Sequence, residues 1–273
     1  VTTLVDRPQV VDALAATWAS LAGVLRSLEP GDWKRPTALP GWDVQANVSH
    51  IIGTEAMLAG QPTPAATIDR AVATHVRNDI GELNEAWVVA LAGETPAAML
   101  ARFDELTTAR LATLGAMTDA EWDADGFTPA GRDSYGRFMR IRVFDCWLHE
   151  QDIRDAVGRP GHESGPAVVL TLDELATGLG FVVGKRAAAP PGLRLTIEAT
   201  GASGRTFHVE VGERAVVVPA LSGPPTVTLA MPVGVLTRLA AGRVRSADVA
   251  GRVMVTGDRR LADAVLANLA FTI

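Results

Sequence analysis

Cysteine occurs once in the 273-residue chain, at Cys146, so no disulfide can close within it and the thiol content points to no oxidising compartment. Tyrosine also occurs once, and the lysines are only Lys34 and Lys185 among 25 basic residues. An excess of positive charge is missing too. The formal charge of -6 and a pI near 5.4 give a field that attracts neither nucleic acid nor an anionic membrane. No apolar run approaches the roughly 20 residues of a bilayer span. The opening VTTLVDRPQV carries Asp6 and Pro8 where a signal peptide would be apolar. These absences predict a cytoplasmic protein without a nucleic-acid or membrane partner.

What is present is an ordinary globular balance, 48% hydrophobic and 21% charged, in a chain long enough for one large or two ordinary domains. Val11, Leu14, Trp18, Leu21 and Leu25 recur at helical spacing and predict a helix over residues 8–28, ended by Pro30 and Gly31. Asp43 follows a Pro40-Gly41 turn as the N-cap of a helix to about residue 60. A long helix is expected over 65–92, with His75 on its surface, and another opens at Thr95 and Pro96. Thr118 to Glu121 is a capping box, and 123–136, rich in Gly, Asp and Pro, is an exposed connection. Helical periodicity returns over 140–158 and 167–186. AAAPPG at 187–192 is the expected linker; beyond it Leu193, Leu195 and Ile197, then Phe207, Val209 and Val211, alternate as a hairpin. Short strands at 216–218, 227–229 and 253–255 and helices from Pro232 and Asp258 complete an α+β pattern. The predicted organisation is a helical bundle over 1–187 and a small α+β domain over 188–273.

One stretch carries metal-ligand residue types at helical spacing: RIRVFDCWLHEQDIRDAVG, residues 140–158. Asp145 and His149, four residues apart, share a helix face, with Asp152 close by and Ile141, Phe144 and Leu148 on an adjoining apolar face. The pair is either a local ion pair or part of a metal site, and the metal reading needs a third ligand from elsewhere. His50 is the candidate, on a flank of its helix with Asn47 and Thr54, facing either solvent or a cavity between helices. Cys146 points away from the Asp145 and His149 face and reads as structural. Asp152 either orients the free nitrogen of His149 or contacts a cofactor, or is a solvated helix charge. Arg142, three residues before Asp145, either neutralises it or meets a carboxylated substrate. Arg243 either contacts an anion or compensates a helix C-terminus.

LPGWDVQANVSHI at 39–51, RVFDCWLHEQDIRDAVGRPG at 142–161, and LTRLAAGR with VMVTGDRRLADAVL in the C-terminal part together resemble the mycothiol-dependent maleylpyruvate isomerase family. The resemblance implies a DinB-like metal-binding four-helix bundle followed by a sterol-carrier-protein-2-like domain. It places metal ligands on His50, Asp145 and His149, with aspartate at 145 where the characterised isomerase has glutamate. Two imidazoles and one carboxylate suit zinc, though nickel, iron or manganese would accept the same set. Mycothiol is the implied thiol cosubstrate, activated as a metal-bound thiolate. Addition to a conjugated cis double bond followed by elimination gives a cis-trans isomerase, and addition alone gives a thiol S-transferase. Either acts on a small electrophile, as a monomer or homodimer; no catalytic residue beyond the ligands is assigned. The alternative reading is a non-catalytic carrier of an apolar ligand in the C-terminal domain, and water-activated metal hydrolysis ranks last.

Overall fold

The computed structural model describes residues 2–272 and divides into two compact units, Val1–Gly161 and His162–Ile273. The class is α+β with two domains, as the sequence predicts. In the first unit α1 (Arg7–Arg26), α2 (Val44–Leu58), α3 (Asp79–Leu91), α4 (Pro96–Ala116) and the single turn α5 (Asp119–Trp122) are followed by a hairpin. Its strands are β1 (Asp125–Thr128) and β2 (Gly131–Ser134), and they lead into α6 (Tyr135–Val157). Helices α1, α4, α2 and α6 close a four-helix ring: α1 packs against α4 and α6, and α2 packs against the same two. Helix α3 lies on the outside of α2.

Local chemistry starts and stops these helices where the sequence suggests. Asp6, Asp43 and Thr95 accept hydrogen bonds from the backbone N–H of Gln9, Ala46 and Ala98, which would otherwise lack an intrahelical acceptor. Ser134 caps α6, and Gly158, in the left-handed region at φ 66°, ends it. Burial decides the rest. Every residue of α2 from Val44 to Ala56 is buried, including Gln45, Asn47, Ser49, His50, Thr54 and Glu55. A helix enclosed on all sides must find partners for those polar groups inside the protein.

The second unit carries α7 (Pro166–Phe181) and a five-stranded sheet of β3 (Arg194–Thr200), β4 (Arg205–Val211), β5 (Ala215–Val218), β6 (Val227–Pro232) and β7 (Met254–Gly257), with α8 (Val233–Ala240) and α9 (Arg259–Ala267). The strand order is β5-β4-β3-β6-β7, antiparallel except for the central β3 and β6 pair. Helix α7 packs on β4 and β5, α8 on β3 and β6, and α9 on β6 and β7. Leu195, Ile197, Val209 and Leu229 are fully buried in the sheet's core.

Three expectations are corrected. Residues 65–92 do not form one helix: 61–78 is irregular and Asn78 caps a shorter α3 by accepting from the Gly81 N–H. Apolar spacing across Ile68, Val72 and Val76 imitated a helix, yet Val72 lies exposed. The connection at 123–136 holds the β1-β2 hairpin. The expected linker at 187–192 lies within the second unit, because Leu170, Leu172, Leu175 and Leu179 of α7 are buried in that unit, where α7 packs on β4 and β5. Helical spacing records a buried face and not the neighbour that covers it. Two helical segments, Arg7–Arg26 and Pro166–Arg186, are long and apolar enough to cross a membrane by composition, so the expectation of no span-length apolar segment is also revised. Each buries about half of that stretch within the fold, 50% and 56%, as core helices do.

Two glycines in the bundle test its packing with opposite signs. A Cβ on Gly53 of α2 would come within 2.3 Å of the Trp87 ring on α3, whereas one on exposed Gly23 of α1 meets nothing within 4 Å. In denaturant unfolding, Gly53→Ala is expected to destabilise by about 1–3 kcal/mol. Gly23→Ala is expected to stabilise by about 0.5–1 kcal/mol.

Candidate metal centre

Helix α2 carries His50 and α6 carries Asp145 and His149; the ring brings them together. One ligand atom from each lies within 4.8 Å of the others, the one such cluster of three metal-ligand residue types among the described residues. Nε2 of His50 is 3.1 Å from Oδ2 of Asp145, and Nε2 of His149 is 3.4 Å from Oδ1. Ligands about 2.0–2.2 Å from a tetrahedral zinc stand at such mutual separations. The donor set fits the cation, and of the two readings of His50 the structure shows the one that faces inward between helices.

The hydrogen bonds around His149 fix its tautomer. Asn47 donates its amide to the Thr37 hydroxyl and the Asp43 carbonyl, which leaves its Oδ1 facing Nδ1 of His149 at 2.8 Å. Oδ2 of Asp152 stands 3.2 Å from the same nitrogen. Two acceptors there demand a proton on Nδ1, so Nε2 turns its lone pair toward the Asp145 carboxylate. A lone pair and a carboxylate oxygen at that distance need a positive charge between them, either a second proton or a metal ion. Burial opposes protonation of His149, but Asp145 and Asp152 outweigh it and raise its pKa above the ordinary value. His50 moves the other way, lowered chiefly by burial despite the pull of Asp145. Burial would raise Asp145, yet His50, Arg142 and His149 hold it well below the usual carboxylate range.

Arg142 takes the first of its two expected roles. Its side chain is 3% exposed; Nη1 donates to Oδ2 of Asp145, Nε to Oε1 of Glu55 at 2.9 Å, and Nη2 to the Cys146 sulfur at 3.3 Å. Committed to these partners, it steadies Asp145 and is not presented to a substrate. Glu55, on α2 one turn past His50, also accepts from Nε of Arg110 at 2.9 Å, and Arg110 reaches the Tyr135 hydroxyl at 2.9 Å. This buried Arg-Glu-Arg cluster lies beneath the site and was not expected from the sequence. Cys146 is structural: it is fully buried, accepts from the Trp18 indole at 3.4 Å, and burial pushes its thiol up to about 12. Asp152 is 3% exposed on its side chain and serves as the partner of His149. Arg243 belongs to the second unit, where it donates to the Ala241 carbonyl at 2.7 Å past the end of α8.

Trp42 completes the surroundings. Its indole is 5.4 Å from the His50 ring and 5.9 Å from the His149 ring, centroid to centroid, and the two imidazoles are 4.7 Å apart. Nε1 of Trp42 donates to Oε2 of Glu85 at 3.0 Å, and Nε2 of His75 meets the same oxygen at 2.9 Å. His75 is therefore a paired, largely covered residue, in contrast to the surface position expected of it. The signal for Trp42 was its place just before the Asp43 cap, within the stretch that holds His50.

Comparison with known proteins identifies the family. Residues 14–154 match the family model described as the mycothiol maleylpyruvate isomerase N-terminal domain. Two uncharacterized proteins from strains of Mycobacterium tuberculosis are each 26% identical over 203 residues, covering 73% of this chain and 76% of theirs. The crystal structure of a mycothiol-dependent maleylpyruvate isomerase aligns over 92% of this chain and 93% of its own with a TM-score of 0.57 at 16% identity. That is a likeness of fold. The match to the family model, which spans more than half of the sequence, shows that the chain belongs to the mycothiol maleylpyruvate isomerase N-terminal domain family.

Proposed function

We propose that the protein is a metal- and mycothiol-dependent enzyme of the maleylpyruvate isomerase type. It acts on a small electrophile as a cis-trans isomerase or as a thiol S-transferase, two outcomes that differ in whether elimination follows addition. The observation that carries this reading is the convergence of His50, Asp145 and His149, with Nδ1 of His149 facing the acceptors Asn47 and Asp152 and its Nε2 facing Asp145. The aligned solved structure is named as a mycothiol-dependent maleylpyruvate isomerase, which supports the choice of thiol and reaction.

In this reading His50 and His149 present Nε2 and Asp145 a carboxylate oxygen to a divalent cation, zinc being the best match to the donors. When bound, the cation supplies the positive charge that favours thiolate over thiol at neutral pH. The chain's own residues do the positioning. Asn47 and Asp152 aim His149, and Arg142, anchored on Glu55, holds Asp145 while leaving its Oδ1 toward His149. Arg243, in the second unit, is proposed as an anion contact. A cytoplasmic setting completes the reading, since a low-molecular-weight thiol and a small electrophile meet there.

Purified protein is expected to carry one divalent ion per chain by elemental analysis, and His50→Ala and His149→Ala are expected to lose it. Equal content in all three would contradict the ligand assignment. The binding should also depend on pH in a defined direction. Because the pKa of His149 is raised, the competing proton on Nε2 is absent above that value and present below it. Metal affinity should therefore be full at high pH and fall as pH decreases through the raised His149 value, with proton uptake on release, in calorimetric titrations. Turnover with mycothiol and a panel including maleylpyruvate, followed as cis-trans conversion for the isomerase and as thiol loss for the S-transferase, should be abolished by a chelator and restored by the ion. Turnover unaffected by chelation would remove the metal from the reaction.

A further inference from the structure

The two imidazoles are not held alike. Nδ1 of His149 has Asn47 and Asp152, whereas Nδ1 of His50 is buried with no hydrogen-bond partner, in a residue only 5% exposed. Ligating histidines almost always have the second nitrogen anchored, since that bond sets the ring plane. For His50 the plane must be set by something else, and the indole of Trp42 is tilted 37° against it at 5.4 Å.

Trp42 is itself fixed at both ends. Its backbone carbonyl accepts from the Thr37 N–H at 3.0 Å and the Thr37 hydroxyl at 2.9 Å, and Pro36 pairs with Asp43 across the turn. Gly41, at φ 81°, lies so close to His75 that a Cβ would stand 2.8 Å from the ring, which seats the turn against the residue that shares Glu85 with Trp42. Glu85 on α3 then holds the indole N–H at 3.0 Å. We propose that Trp42, anchored by Glu85, is the positioning residue for His50, replacing by ring contact the outer hydrogen bond that this ligand lacks. Glu85 thereby governs metal affinity without touching the ion.

The inference rests on the metal reading above, and one experiment separates the two. Zinc affinity is measured by competition with a chromophoric chelator on folded, metal-free protein, for the wild type, Trp42→Phe, Trp42→Ala, Glu85→Gln and Glu85→Ala. Measured below the unfolding midpoint, it is not moved by a loss of stability alone. Trp42→Ala and Glu85→Ala are expected to weaken binding by about tenfold or more. Glu85→Gln, whose amide oxygen still accepts the indole N–H, should stay within about twofold of the wild type. Trp42→Phe, which keeps a ring but loses the anchor, should weaken binding by about threefold. Should an alanine variant fail to fold, Trp42→Phe and Glu85→Gln still decide: unchanged affinity in Trp42→Phe, or a loss in Glu85→Gln as large as in Trp42→Phe, overturns the proposal. Wild-type affinity in Trp42→Ala and Glu85→Ala overturns it while leaving the metal site standing. A wild type that binds no zinc overturns the site and this proposal together.

Discussion

The burial of α2 from Val44 to Ala56 is the constraint from which the rest follows. A helix in the middle of a bundle ordinarily carries apolar residues on every side, but α2 also carries Gln45, Asn47, His50 and Glu55 out of water. Each such group costs free energy unless another polar group meets it. Gln45 is met by carbonyls at the end of α3, Asn47 by Thr37 and His149, Glu55 by two arginines, and His50 by Asp145. The polar stripe of α6 is fixed in space by the same contacts. The proposed metal centre thus rests on groups that the bundle brings together in satisfying its interior.

The aspartate at 145 is held by its own helix and by α2. Arg142 lies one turn before it and donates to one oxygen, and Glu55 orients Arg142 from across the bundle. Breaking a buried pair of this kind costs about 3–5 kcal/mol because a charge is left unpaired. The Arg110, Glu55 and Arg142 cluster therefore couples the stability of the bundle to the placement of Asp145.

Much of this was legible in the sequence. The caps at Asp43, Thr95 and Thr118, the hairpin beyond residue 192 and the i,i+4 pair on α6 are local features, and local chemistry determines them. Asp145 and His149 were visible for that reason, whereas the inward facing of His50 depended on which side of α2 meets α6, and only the family resemblance supplied it. The roles of Glu55, Arg110, Glu85 and Trp42 arise from pairings across tens of residues, which no periodicity encodes. The segment at 65–78 departs from the helix expected over 65–92 because apolar spacing persists there through Ile68, Val72 and Val76, although the helix starts only at the Asn78 cap. Helix α7 was assigned to the bundle because a buried leucine face looks the same whether a helix or a sheet covers it.

X-ray absorption at the zinc edge of the loaded protein tests the central claim most directly. Two imidazole shells and one light carboxylate scatterer, with no sulfur, are the expected first sphere, and His149→Ala should reduce the imidazoles to one. A zinc-sulfur distance of about 2.3 Å in the protein without added thiol, or fewer than two imidazoles in the wild type, would contradict the account.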